Sequence, residues 1–117
     1  MAAPNIVNVS VIYGRSAVQQ VGTSATAIVT NSAASGKVLK VNALYVANVD
    51  GTNNADITVD LYRSSTAYRI ASTTVVPADA SLSILDQSIY LEEGDSLRLT
   101  ANAAGDLEAV CSYEEIN

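Results

Sequence analysis

The sequence predicts an all-β protein: a single antiparallel β-sandwich, jelly-roll-like, with about eight strands. Three observations predict it. Apolar and polar residues alternate with a period of two in one segment after another. Fourteen valines, nine threonines and six tyrosines suit a pleated, half-buried surface, whereas the helix formers Glu, Lys and Met are few. Glycines beside small or acidic residues then divide the alternating segments at short intervals.

The elements follow in order. Pro4 marks off a short N-terminal arm, residues 1–5, and residues 6–117 form one domain, since 117 residues leave no room for two independent cores. Residues 6–13 are the first extended stretch and residues 25–30 the second. Residues 38–49 are the longest, with Leu39, Val41, Ala43, Tyr45, Ala47 and Val49 on one face, which places Tyr45 in the core. Residues 56–63 alternate most cleanly: Ile57, Val59 and Leu61 point inward, while Asp56, Thr58, Asp60 and Tyr62 point outward. Residues 68–75, 82–90, 96–101 and 107–113 complete the set. Ser35-Gly36, Asp50-Gly51, Glu93-Gly94-Asp95 and Ala104-Gly105-Asp106 supply turns, and Pro77-Ala78-Asp79 stops a strand sharply.

Composition removes whole classes of chemistry. Without histidine there is no Ser-His-Asp or Cys-His relay and no imidazole metal ligand. One cysteine, Cys111, excludes an intrachain disulfide and Cys-rich zinc sites. Twelve acids against six bases give a net charge of −6, which would repel a phosphate backbone, so no nucleic-acid partner is expected. No apolar run approaches the ~18 residues of a membrane helix, and the N-terminus has neither the basic nor the apolar region of a secretory signal. The expectation is a protein made in a cytoplasm, with no membrane partner. Eighteen alanines beside the valines make a thin core, which points to stability gained by oligomerising.

Candidate sites each have a plainer account. Asp50 to Asp56 offers oxygen ligands at alternate positions, but an EF-hand needs Gly sixth and Glu twelfth, and here Gly is second and Leu61 twelfth; a polar hairpin tip explains the same residues. Glu92, Glu93, Asp95, Glu108, Glu114 and Glu115 could pair for glycoside cleavage, yet without Trp or Phe a sugar cleft is hard to build. Cys111 shares a face with Leu107, Ala109 and Tyr113, opposite Glu108, Val110, Ser112 and Glu114, so it reads as a buried thiol. Asn8-Val9-Ser10 matches a glycosylation pattern inside an expected strand, a chance match. No catalytic residue, metal ligand or cofactor site is expected. Tyr62 and one of Tyr68 and Arg69 are expected to be exposed. Beside Arg63 they suit a protein interface better than a sugar site.

Three blocks resemble small virion structural proteins of tailed bacteriophages, cyanophages in particular. They are Met1 to Val9, Gly36 to Gly51, and Tyr90 to Ala101 followed by Leu107 to Ile116. The resemblance implies a non-enzymatic capsid decoration, tail, baseplate or fibre-head protein located in the virion. It implies partners in the major capsid protein or other virion proteins, and a homo-oligomer for which a trimer is one arrangement. Capsid decoration is the leading expectation, ahead of a low-copy tail, baseplate or fibre component. A module binding a host surface glycan is the rival from another class. The residues expected to touch partners are the arm, Ala2, Ala3, Pro4, Asn5 and Ile6, and the pair of strands carrying Tyr62, Arg63, Tyr68 and Arg69.

Overall fold

The computed structural model describes residues 8–117, and every regular element among them is a strand: β1 Ile12–Val21, β2 Thr26–Thr30, β3 Val38–Asn48, β4 Ala55–Arg63, β5 Thr66–Val76, β6 Ser81–Ser83, β7 Ile89–Leu91, β8 Ser96–Ala101 and β9 Leu107–Ile116. All pairings are antiparallel. One sheet, A, has the order β1-β9-β3-β6, with β7 also on β3; the other, B, has the order β2-β8-β4-β5. β6 pairs with the end of β3 and β7 with its start, so the two form one edge strand interrupted at residues 84–88. Counted that way, eight strands cross between the sheets in the manner of a jelly roll.

The inner faces supply the core. Leu44 and Val46 of β3, Ile57 and Val59 of β4, Leu97 and Leu99 of β8, and Leu107 and Cys111 of β9 are all buried, together with Leu91. Each buried leucine contributes about 1.5–3 kcal/mol over leaving it in water. A buried asparagine closes each end of the sandwich. Asn31 donates to the carbonyls of Lys37 and Leu91, both at 2.9 Å, and accepts the Ser35 hydroxyl at 2.6 Å. Asn48 donates to the carbonyls of Asn53 and Val76, both at 2.9 Å, and accepts the Asp50 N–H at 2.9 Å. Both amides are fully used, so their burial costs little.

Three expectations need correction. The first strand does not end at residue 13; it begins at Ile12 and runs to Val21. The segment expected over 82–90 is two short strands, because the chain leaves β3 between them. In β3 the alternation breaks: the register with β9 shifts between Val41 and Ala43, a bulge that moves Leu44 and Val46 inward. Tyr45 is therefore 51% exposed and outside the core. The turn between β4 and β5, which carries no glycine, has Ser64 and Ser65 both at positive φ (52° and 61°), the type I′ conformation of a two-residue hairpin.

Charge is unevenly spread along the long axis of the molecule. The loops at residues 22–25, 49–54, 77–80 and 102–106 meet at one end, joined by bonds such as Asp79 N–H to the Asp50 carbonyl and Val49 N–H to the Asp106 carbonyl. Asp50, Asp56, Asp79, Asp106 and Glu108 lie there with no lysine or arginine among those loops. Arg15, Lys37, Lys40 and Arg63 all lie toward the opposite end.

Candidate interaction surface

The solvent face of sheet A carries an apolar row. Val18 of β1 pairs with Val110 of β9, and Val110 with Tyr45 of β3, so the three side chains lie side by side across three strands. Their exposures are 76%, 44% and 51%. Ser16, Ser112 and Ala43 form the next row on one side; Gln20, Glu108 and Ala47 form the next on the other. A shallow depression of about 330 Å³ lies against Val18, Gln20, Glu108 and Val110. Cross-strand apolar contacts contribute about 0.2–1 kcal/mol each, but solvent on this face leaves most of the burial unrealised. Sequence periodicity assigned Tyr45 to the wrong face and did not single out Val18. Val110, the one apolar residue among Glu108, Ser112 and Glu114, was the available signal.

The expected tyrosine and arginine residues do not share one face. Leu61 pairs with Tyr68, and Tyr62 with Ala67. Tyr68 therefore sits on the Leu61 side, where the end of the sheet leaves it 56% exposed, and Tyr62 sits on the outer side. Asp60 stands between Arg69 and Arg98 on that outer side, is ion-paired with Arg69 and is buried. The Arg98 guanidinium stacks over the Tyr62 ring at 4.2 Å, a cation–π contact. Arg63 turns instead to the end of the sandwich. It donates twice to the buried Asp95, at 2.8 and 2.6 Å, and once to Glu92, at 3.0 Å. Asp95 also accepts the Glu92 N–H at 2.8 Å. Burial raises the Asp95 pKa, but the Arg63 and backbone bonds outweigh it and hold the carboxyl below its ordinary value. The arm residues Ala2, Ala3, Pro4, Asn5 and Ile6 lie outside the described residues.

The other polar residues serve the fold. Glu115 accepts Lys37 at 2.9 Å and Arg15 at 3.1 Å, and the Lys37 bond lowers its pKa. The Asp50 carboxylate accepts the Thr52 N–H at 2.8 Å and the Asn53 amide at 3.1 Å, which lowers its pKa and fixes the hairpin tip. Glu93 caps the Gly36 N–H at 2.7 Å. Cys111 is fully buried, and burial pushes its thiol up to about 11. Among the described residues no group of three or more acids or cysteines is placed to hold a metal ion, and no helix is long and apolar enough to cross a membrane.

No family model matches the chain, and no curated protein is significantly similar to it. Solved structures are. A protein described under Bacillus endospore appendages, a family of disulfide-linked pili, superposes with a TM-score of 0.53 at 17% identity, covering 92% of this chain and 87% of that one. A pentameric capsid protein isolated from metagenomic phage sequences gives a TM-score of 0.42 at 16% identity, covering 98% of this chain and 64% of that one. The first is a likeness of fold; the second is looser still.

Proposed function

We propose that the protein is a non-enzymatic structural subunit of a phage virion, and within the virion a capsid decoration protein that binds the assembled shell and reinforces it. The observation that carries this reading is the row Val18–Val110–Tyr45, three large apolar side chains left in solvent on one sheet face. Such a row is costly to keep exposed and suits a flat contact with another protein. The resemblance of three sequence blocks to phage virion proteins supplies the biological setting, and the jelly roll is compatible with it. The −6 charge suits a part that stays clear of a packaged genome. Each bound copy would stabilise the shell by mass action, since it binds the assembled state and not free subunits.

The test is quantitative mass spectrometry of purified source particles, with the major capsid subunit as reference. A copy ratio near unity, or a simple fraction of it, is expected. A ratio of a few per cent would move the protein to the tail, baseplate or fibres, and absence from particles would end the virion reading. Tyr45→Glu with Val110→Glu should abolish co-sedimentation with shells while leaving the fold intact, because neither side chain is part of the core.

A further inference from the structure

β1 is the one sheet edge among the described strands without a device against strand pairing. β2 is five residues long and bulged, β5 is bulged twice, and the outer edge of β3 is covered by the short β6 and β7. β1 instead pairs with β9 through ten residues with no register shift. The Asn117 N–H donates to the Val11 carbonyl at 2.9 Å. Alternation along the ladder then turns the N–H and C=O groups of Ile12, Gly14, Ser16, Val18 and Gln20 to the free side. All five residues are exposed.

Gly14 is unexplained within the molecule. Glycine inside a strand weakens it and often marks a bulge, a bend or a place where another backbone or ligand comes close; the ladder with β9 has no bulge at Gly14. Its φ lies outside the left-handed region, and a Cβ added there would meet nothing within 4 Å. Four residues on, Val18 is the most exposed of the large apolar side chains.

We propose that β1 pairs antiparallel with β1 of a second copy, about a two-fold axis at Ser16. Ser16 then faces Ser16 of the second copy, Gly14 faces Val18, and Ile12 faces Gln20. Every N–H and C=O group on the free side of the five residues acquires a partner. Val18 takes the space that Gly14 leaves, and does so twice by symmetry. Charge permits the approach: β1 has no acid in a chain of net −6. Its one ionic side chain, Arg15, is held by Glu115 and comes opposite Ala17 of the second copy. Two four-position sheets become one, and the two apolar rows lie on the same continuous face. The pairing is a property of the free protein and holds whether or not the particle role does. Pairing of one edge strand from each copy is a small contact beside the ~1,600 Å² of a standard interface, so a weak, concentration-dependent association is expected.

Sedimentation velocity of the full chain from micromolar to millimolar concentration tests it. A monomer passing to a dimer is expected, and Ser16→Pro and Ser16→Asp should each weaken the association about tenfold or more with circular dichroism unchanged; Ser16→Asp sets like charges directly opposite each other across the axis. Ser16→Pro removes an N–H that faces only the free side, so the ladder with β9 is spared. Should that variant misfold, Ser16→Asp carries the test, together with amide exchange: the Ser16 and Val18 N–H groups should gain protection as concentration rises. A protein that stays monomeric throughout, or a dimer indifferent to both substitutions, overturns the proposal.

Discussion

Replacing Arg63 by methionine is the most informative single perturbation of the fold. The side chain of Asp95 is 2% exposed, and Arg63 gives it two of its three hydrogen bonds. Breaking a sealed ion pair by removing one partner costs about 3–5 kcal/mol, because a charge stays buried without compensation. Arg63 itself is 42% exposed, so water enters the vacated space and the expected loss at neutral pH falls to about 2–3 kcal/mol. For a domain of this size that lowers Tm by roughly 10 °C. Urea unfolding at pH 7 and pH 3 reads both the size and the cause. In the native protein the Asp95 pKa is depressed, so its contribution is complete above the ordinary value of 3.8 and is lost as pH falls through the folded value. In Arg63→Met the Glu92 N–H alone is left to oppose burial, so that pKa rises from its depressed value, and the deficit should be largest at neutral pH and shrink in acid. In an Asp95→Asn background the same substitution should cost less than about 1 kcal/mol. An equal loss in both backgrounds, or a deficit that ignores pH, would refute the reasoning.

Leu44→Ala and Tyr45→Ala should separate sharply in chemical denaturation, the first costing about 2–5 kcal/mol and the second within about 0.5 kcal/mol of zero; comparable losses would place the β3 bulge elsewhere. Cys111 should resist a thiol reagent in native protein at pH 8 and react at once in denaturant, since its thiol is buried with a pKa raised to about 11. Replacing Ser64-Ser65 by Asn-Gly should raise stability by about 1 kcal/mol in thermal unfolding, because those residues accept positive φ at less cost.

Strands buried on one face were the legible ones. Residues 96–101 coincide with β8, and 56–63 with all but the first residue of β4, because both strands are central in their sheet and alternation reports burial directly. β1 was hidden for the opposite reason. Residues 12–16 are exposed on both faces, so Ile-Tyr-Gly-Arg-Ser carries no periodic signal. The bulge in β3 leaves no mark in composition, since the register between Val41 and Ala43 is set by β9, more than sixty residues away. That single extra residue also concealed the candidate surface, because an exposed tyrosine in an apolar strand looks like core until the face it points to is known. The pairing of Asp95 with Arg63 was unreadable too, as Glu-Gly-Asp signals a turn but says nothing of which base crosses from β4.

The acidic end, whose loops carry no lysine or arginine of their own, gives the molecule a permanent direction. Two copies meeting by those loops would bring ten carboxylates together, five from each. At physiological salt that repulsion reaches about 8 Å, and at molar salt only about 3 Å. Any layer built from this subunit would therefore be vectorial, with the acidic loops kept in water and attachment made through the sides and the opposite end. Concentrated salt would remove that bias and permit end-to-end stacking that dilute buffer forbids.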